Sequence, residues 1–337
     1  MRHRPVARLL AALVLSLAAA APAPADAAPF AYVASASSTD VAVIDTATRE
    51  VVGTIRLGAA PLGVAVDPAG ARVFVASRDA DALTVIDTAA KAVVATVPVG
   101  RGPFGVAVDP SGARVYVTNR VSSTVSVVDT ATNRVEAELV VDGEPLGVAV
   151  SPAGERAYVT SRSADTLTVI DTAAGTVVGT IRVGSRPGGL AVSDTGRRVW
   201  VANWGDDTVS VVDAAARAVV ATVGVGRGPF GVAAHPGSPR VYVANQLSNT
   251  VSVLDAASSA VVRSIAGVAR GASSVAVQAR GQRLWVVGEE SDALSIVDTT
   301  ADRVIATVPL GFASSAFGAF IAPEAPGCAK AGSAPGC

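Results

Sequence analysis

The sequence has very little of the chemistry that most metal sites, haem sites and catalytic centres need. Its 337 residues include two cysteines, two histidines and one methionine. Beyond residue 27 the only histidine is His235, which cannot by itself form a two-histidine zinc site or a His-Glu-x-x-His helix. No Cys-x-x-Cys-His haem attachment and no Gly-Lys-Ser/Thr phosphate loop is present. We therefore predict no catalytic residues, no metal ligands and no cofactor.

Aromatic residues and lysine are also scarce. Aromatics make up 4% of a sequence that is 50% apolar, so the core must be built from Val, Ala, Ile and Leu. Lysine occurs twice, and arginine carries nearly all of the positive charge. Beyond residue 27 there are 24 basic and 27 acidic residues, a balance of −3. A nucleic-acid partner would require a basic excess, so none is predicted.

The N-terminal residues have the pattern of a secretory signal. Arg2, Arg4 and Arg8 precede an apolar run at residues 9–20, and residues 25–27 offer a small-residue cleavage site, which predicts a Sec-type signal peptide over residues 1–27. A retained membrane anchor is the less favoured alternative, because the run is shorter than the ~20 residues of a membrane span. We expect a secreted or periplasmic protein with no membrane span after cleavage.

The C-terminal residues 323–337 are rich in Pro, Ala and Gly and are predicted to form a flexible tail. They contain both cysteines, Cys328 and Cys337. In an oxidising compartment these thiols could form a disulfide that closes a small loop within the tail. Free or intermolecular thiols are the open alternative.

Residues 28–322 consist of one repeated unit, of which residues 102–143 are a representative copy. Short apolar runs with period-two alternation are separated by the turn sequences DPSG at 109–112 and DTATN at 129–133. This pattern predicts four antiparallel strands per unit, which we name a, b, c and d in chain order. The period is set by an aspartate at the end of strand c, which recurs at Asp45, Asp87, Asp129, Asp171, Asp213, Asp255 and Asp298.

A period of 42 or 43 residues with four strands per unit is typical of a β-propeller blade. A small sheet that is apolar on both faces must pack between two neighbours, and a closed ring provides this for every copy. The chain begins with a strand b at residues 31–33 and ends with a strand a at residues 316–321, so each strand type occurs seven times. The C-terminal strand is therefore predicted to complete the N-terminal blade.

The repeat also contains recognisable motifs. YVTN at 116–119 and YVAN at 242–245 stand between P-x-G-V-A-V-x-P-x-G and V-x-V-[IV]-D-T-A elements. On these motifs the chain resembles, over residues 31–322, the YVTN family of seven-bladed β-propellers, whose architecture is WD40-like and similar to the quinoprotein amine dehydrogenase β-chain. The resemblance implies an all-β, seven-bladed propeller. It implies less about function, since such proteins serve as surface, binding and enzyme-associated modules.

Two recurrent residue types have structural interpretations. Glycine recurs near the start of strand a, where seven strands converge on the axis and a side chain would lack room; the positions are Gly63, Gly105, Gly147, Gly189, Gly231 and Gly318, with Ser274 in the remaining copy. The repeated aspartate is expected to accept backbone N–H groups of the c–d turn. His235 replaces a turn aspartate or serine between strands a and b, and we interpret it as a turn residue.

Strand direction places the d–a and b–c loops on one face, the loop face, and the a–b and c–d turns on the other, the turn face. The turns repeat with little change, whereas the loops vary, and variable loops on a rigid scaffold often carry binding residues. The loop face collects arginines, whose planar guanidinium suits carboxylates and phosphates. The b–c loops supply Arg78, Arg120 and Arg162. The d–a loops supply a discontinuous cationic ring near the channel mouth, Arg101, Arg186, Arg227 and Arg270.

Simpler interpretations of this charge remain open. The arginines would form routine ion pairs if they met the loop acids Asp79, Asp81, Asp165, Asp206, Asp207, Glu144 and Glu289. Calcium could bind at Asp79 and Asp81 or at Asp206 and Asp207, although two loop acids are normally just solvated.

Trp204 lies in a b–c loop where other copies have Arg, Gln or Glu. It could stack on a ligand or partner, or fold over its own blade. With Arg227 and Gln246 it forms the most specific predicted binding patch.

The leading functional hypothesis is a monomeric, non-enzymatic scaffold that binds a protein, a peptide or an anionic small molecule on the loop face. One alternative is a lactonase-like or quinoprotein-type propeller enzyme, which would need acid and base groups clustered at the channel mouth. The other is a structural cell-surface protein.

Overall fold

The structure, a computed structural model, describes residues 30–35, 37–278, 280–315, 318 and 320–322. Within these residues the chain forms seven four-stranded antiparallel sheets, which confirms the predicted all-β, seven-bladed propeller. We number the blades along the chain, so that blade 1 combines its two ends and blade 2 starts at Pro61. The predicted signal peptide and the tail with Cys328 and Cys337 lie outside the described residues. No helix in the described ranges is long and apolar enough to cross a membrane.

Every blade has the strand order a-b-c-d, with neighbouring strands antiparallel. In blades 2 to 7 and then blade 1, the strands a are β4 (Pro61–Val66), β8 (Pro103–Val108), β12 (Pro145–Val150), β16 (Pro187–Val192), β20 (Pro229–Ala234), β24 (Ala272–Val277) and β28 (Ser314–Ser315). In blades 1 to 7 the strands b are β1 (Phe30–Ser35), β5 (Arg72–Ser77), β9 (Arg114–Asn119), β13 (Arg156–Ser161), β17 (Arg198–Asn203), β21 (Arg240–Asn245) and β25 (Arg283–Gly288).

In the same order the strands c are β2 (Asp40–Asp45), β6 (Ala82–Asp87), β10 (Thr124–Asp129), β14 (Thr166–Asp171), β18 (Thr208–Asp213), β22 (Thr250–Asp255) and β26 (Ala293–Asp298). The strands d are β3 (Glu50–Arg56), β7 (Ala92–Pro98), β11 (Arg134–Val140), β15 (Thr176–Arg182), β19 (Ala218–Gly224), β23 (Ala260–Ile265) and β27 (Arg303–Pro309). A short 3-10 helix, Arg78–Ala80, follows β5.

The hydrophobic core lies between the blades. In β9, Tyr116 packs into a cluster shared by blades 3 and 4, whereas the next residue, Val117, packs into a cluster shared by blades 2 and 3. Successive side chains of a strand point to opposite faces, so strand b buries both of its faces. A further cluster joins residues of blades 7, 1 and 2 and continues the core across the join between the two chain ends.

The remaining letters of the YVTN motif connect blades and close loops. The Thr118 hydroxyl accepts the backbone N–H of Gly105 at 2.7 Å and donates to the Leu146 carbonyl of the next blade at 2.7 Å. Asn119 donates to Ser126 Oγ at 2.8 Å and so closes the b–c loop. A Cβ on Gly105 would collide with the Leu146 carbonyl oxygen. The predicted need for glycine is confirmed at this position, and the close approach is made by the backbone of the neighbouring strand a.

The two chain ends meet in blade 1, as predicted. β28 pairs with the end of β1, and the backbone N–H of Tyr32 donates to the Phe320 carbonyl at 2.8 Å. The closing segment therefore begins at Ser314, two residues before the predicted start at 316. The stretch from Ser314 to Ile321, which bridges to Ala31, is two residues longer than the equivalent stretch of β8 from Pro103 to Val108. Counted from Ile321, which takes the place of Val108, Gly318 stands at the place of Gly105, and a Cβ there would lie 2.7 Å from the Val64 carbonyl oxygen of blade 2, in agreement with the predicted need for glycine.

Arginines at the start of strand b clasp neighbouring blades on the turn face. Five of the six such arginines donate through Nη1 to a carbonyl in the c–d turn of the next blade, as Arg114 does to Thr172 at 3.1 Å. The same contact is made by Arg72, Arg198, Arg240 and Arg283. Arg283 reaches Thr46 at 2.8 Å and so ties blade 7 to blade 1. Arg156 instead pairs with Asp171 of its own blade at 2.6 Å.

The aspartate that ends each strand c has the predicted turn role. Its Oδ1 accepts backbone N–H groups two or three residues on, in every blade. Hydrogen bonds from Thr132 hold the pKa of Asp129 below its usual value, and the backbone of Ala174 does the same for Asp171. These carboxylates are thus committed to the scaffold.

Candidate functional site

The residue that follows strand b occupies an equivalent place on the loop face of each blade. In blades 2 to 7 this residue is Arg78, Arg120, Arg162, Trp204, Gln246 and Glu289. We name these six residues the loop-face arc. Blade 1 has Ala36 at this place, outside the described residues. The ring thus presents, at one repeated position, three cations, an indole, an amide and an acid in that order.

Trp204 is the centre of the arc. Its side chain is half-buried, and the guanidinium carbons of Arg162 and Arg186 lie 5.5 Å and 5.6 Å from the centre of its ring. Both distances are within the range of cation–π attraction. The indole Nε1 donates to Gln246 Oε1 at 3.2 Å and lies against Gly228 of the next blade. Trp204 therefore leans towards blade 6, in contact with the predicted neighbour Gln246.

The cationic end of the arc is partly desolvated. Burial lowers the pKa of Arg162, and the nearby charges of Arg120 and Arg186 lower it further. Arg120 is paired with Glu144 at 2.9 Å, but in the described part of the chain Arg162 and Arg186 have no acidic partner. Glu144, which is paired with Arg120, partly opposes this lowering of the pKa of Arg162. Two guanidinium groups thus share one aromatic ring, and neither forms an ion pair of its own with a described residue.

The acidic end of the arc is formed by Glu289. Gln246 Nε2 donates to Glu289 Oε2 at 2.9 Å, so hydrogen bonds link Trp204 to Glu289 across three blades. Burial raises the pKa of Glu289, while hydrogen bonds from Ser273 and Gln246 oppose the rise. The sequence indicated a glutamate at the loop place of Trp204 in another copy, but Glu289 was predicted only as an ion-pair partner and not as a site residue.

The other predicted site arginines lie apart from Trp204. Arg78 pairs with Asp79 at 3.0 Å, and Arg270 approaches Glu290 at 3.7 Å. The side chains of Arg101 and Arg227 are exposed and have no partner among the described residues. Arg227 therefore shares the loop face with Trp204 and Gln246, but no contact joins it to them. Ion pairing thus accounts for three of the seven arginines, Arg78, Arg120 and Arg270.

Several loop acids have a different role from the ion pairing considered above. Asp81, Asp165 and Asp207 adopt positive φ and accept a backbone N–H from the d–a loop of the next blade at 2.7–2.8 Å. Asp206 accepts the N–H of Ser185 at 2.6 Å. These carboxylates are used to join blades on the loop face. Among the described residues, no group of three or more His, Cys, Asp or Glu side chains could hold a metal ion.

The opposite, turn face holds His235 and the open end of the axial channel. His235 Nδ1 lies 2.7 Å from the Pro236 carbonyl, and the ring rests on Gly281 of blade 7. This placement fits the predicted turn residue. The channel encloses about 340 Å³ between the strands a, with lining residues that are almost all Ala, Val or Gly.

Comparisons with known proteins agree with this architecture. Three solved structures share the fold: hydrazine synthase from Kuenenia stuttgartiensis (TM-score 0.70, 22% identity, 76% of this chain and 88% of that one), a functionally unknown protein from Desulfotomaculum acetoxidans (0.78, 19%, 88% and 99%), and the dihydro-heme d1 dehydrogenase NirN (0.64, 18%, 86% and 74%). At these identities the likeness shows the fold alone. No curated protein matches the chain.

A family model provides the closer assignment. The model of the YNCE-like beta-propeller matches residues 18–114 and 107–198, which together make up more than half of the sequence. The match covers the repeats that carry the YVTN motif at residues 116–119. The chain therefore belongs to the YNCE-like β-propeller family.

Proposed function

We propose that the protein is a secreted or periplasmic scaffold that binds a carboxylate-bearing ligand on its loop face and does not transform it. The observation that carries this proposal is the pair of guanidinium groups, Arg162 and Arg186, stacked on Trp204 without an acidic partner. A guanidinium binds a carboxylate through two parallel hydrogen bonds. The indole would supply an apolar surface for the rest of the ligand.

The electrostatics of this cluster favour an anion over an empty surface. Arg162 is desolvated and lies near two other positive charges, and both effects lower its pKa, while the nearby carboxylate of Glu144 opposes them in part. Like charges that share a poorly solvated site raise the free energy of the folded state. A bound carboxylate would relieve that repulsion, so ligand binding should stabilise the protein.

A thermal-shift series with citrate, succinate and inorganic phosphate tests the proposal. A ligand present at a hundred times its Kd raises the free energy of unfolding by about 2.7 kcal/mol. We expect a carboxylate to raise the melting temperature of the wild type. The shift should be lost in Arg162→Gln, Arg186→Gln and Trp204→Ala.

Arg101→Gln is the matched control, because Arg101 is an exposed arginine of the same face without a side-chain partner. It should leave the shift unchanged. The proposal is wrong if none of the three anions stabilises the wild type, or if the arc variants respond as the control does.

The alternative function is catalytic, and one group favours it. Glu289 has a raised pKa, and a carboxyl group with a raised pKa can act as a general acid or base near neutral pH. Two structures of similar fold are enzymes by name, hydrazine synthase and NirN. Turnover of a lactone by the wild type that is abolished in Glu289→Gln would replace the scaffold hypothesis with this one.

A further inference from the structure

A crevice opens on the turn face between blades 5 and 6. It has a volume of about 580 Å³ and lies between β17 with its preceding turn and the two turns of blade 6. Its lining includes Trp200, Arg197, Arg198, His235 and Ala256. These residues belong to the face opposite the loop-face arc, so the crevice is separate from the site proposed above.

The crevice coincides with a departure from the repeat. In five blades a threonine follows the aspartate that ends strand c. In four of these blades the threonine hydroxyl donates to a carbonyl of the a–b turn, and the four residues are Thr88, Thr130, Thr172 and Thr299. Blades 5 and 6 have Ala214 and Ala256 instead. Ala256 lines the present crevice, and Ala214 lines a second one of about 430 Å³ between blades 4 and 5.

Trp200 forms part of the wall of the blade 5–6 crevice. Its side chain is 2% exposed, and its Nε1 is buried without a hydrogen-bond partner among the described residues. Trp285, at the same place in blade 7, also leaves its Nε1 without a partner. The indole N–H is therefore common to this position of the repeat, and the crevice is distinguished by its space and its charges.

The charges around the crevice favour an anion. Arg197 has no side-chain partner in the described structure, and Arg198 donates only to neutral acceptors, the Ala256 carbonyl at 3.2 Å and Ser259 Oγ at 3.1 Å. Arg240 is paired with Asp302 at 2.9 Å. The remaining lining supplies one carboxylate, Asp194, together with His235 and an apolar wall of Ala234, Pro239, Ala256 and Ala257.

We propose that the blade 5–6 crevice binds a small organic carboxylate with an apolar body. Arg197 and Arg198 hold the carboxylate, and the body packs against the side chains of Trp200, Ala256 and Ala257. The crevice at the corresponding place between blades 3 and 4, where Thr172 is present, has only about 190 Å³, so the larger space beside blade 6 goes with the replacement of the threonine by Ala256. Binding here requires no contribution from the loop-face arc.

Titration of the wild type with benzoate, followed by tryptophan fluorescence and by calorimetry, tests the proposal. Ala256→Thr introduces the threonine found in most other blades and removes space for the ligand. Arg197→Gln removes a positive charge that would bind the carboxylate. Each substitution should weaken benzoate binding roughly tenfold or more. Ala214→Thr fills the neighbouring crevice and serves as the matched control. Ala214→Thr should bind within about twofold of the wild type.

Each outcome is decisive. The proposal is overturned if benzoate does not bind the wild type, or if Ala256→Thr and Arg197→Gln bind it as the control does. Equal loss in Arg162→Gln would move the ligand to the loop face. Inorganic phosphate, which has charge but no apolar body, should bind more weakly than benzoate, and tighter phosphate binding would refute the carboxylate assignment. Should Ala256→Thr fold poorly, Arg197→Gln decides, since the exposed side chain of Arg197 forms no hydrogen bond or ion pair with a described residue.

Discussion

Phe320 should be the residue whose truncation most clearly tests how the ring closes. Its side chain is completely buried, in the cluster that joins blades 7, 1 and 2, and its carbonyl accepts the N–H of Tyr32. Phe→Ala replacements in cores cost about 3–5 kcal/mol, because the lost contacts leave a cavity. The whole stability of a domain is only about 5–15 kcal/mol. Phe320→Ala should therefore lower the melting temperature by roughly 6–20 °C.

The assay is thermal unfolding followed by circular dichroism, with two controls. Phe320→Leu keeps most of the apolar volume and should cost less than about 1.5 kcal/mol. Phe104→Ala truncates a half-buried phenylalanine on a strand a far from the closure, and it should cost less than Phe320→Ala. A drop of under about 2 °C in Phe320→Ala, or a drop no larger than that of Phe104→Ala, would refute the claim that the C-terminal segment seals the ring.

Three further predictions concern other parts of the ring. Gly105→Leu should destabilise the protein by about 1–3 kcal/mol, because the side chain would meet the carbonyl of the next strand a; an unchanged melting temperature would contradict that packing. Burial raises the pKa of Glu289, so the folded state binds its proton more tightly than the unfolded state does, and stability falls as pH rises from about 4.3 through the folded pKa. Glu289→Gln should therefore raise the melting temperature at pH 7 and leave it nearly unchanged at pH 3; a uniform shift at both pH values would argue against the burial effect. Arg283→Gln breaks the hydrogen bond between blades 7 and 1, whereas Arg156→Gln removes an ion pair within a single blade. Arg283→Gln should therefore lower the melting temperature, relative to the wild type, by more than Arg156→Gln does; equal decreases would show that the contact between blades 7 and 1 adds nothing to ring closure.

Much of the fold could be predicted because the sequence pattern of one blade recurs seven times along the chain. The period of the aspartates identified the blade, and their turn role follows from a short acceptor side chain beside free N–H groups. The register at the end of the closing segment could be predicted, because Ile321 faces Ala31 as Val108 faces Val115. Its start at Ser314 could not be predicted, because two extra residues separate Ser314 from Ile321. A motif match in a single copy gives no measure of such an insertion.

The candidate site was only partly predictable, for a physical reason. The contact of Trp204 with Gln246 follows from their equivalent places in consecutive blades. The sequence did not indicate which arginines would lack an ion pair, because Asp165 and Asp207 can each accept a hydrogen bond either from a guanidinium group or from a backbone N–H. In the structure both accept a backbone N–H of the next blade. The residues of a loop show how many charged groups it has, but not which of the carboxylates accept hydrogen bonds from the backbone.

The repeat itself provides the control by which function can be separated from scaffold. A side chain needed for ring closure recurs at its position, as the clasping arginines and turn aspartates do. At the place of Trp204 the blades differ in charge and shape while the backbone stays the same, so blade geometry cannot account for the choice of residue. The same reasoning applies to Ala256 among the threonines. Both sites should therefore tolerate the residue of a neighbouring blade without unfolding, and any loss of ligand affinity in such a swap can be attributed to binding.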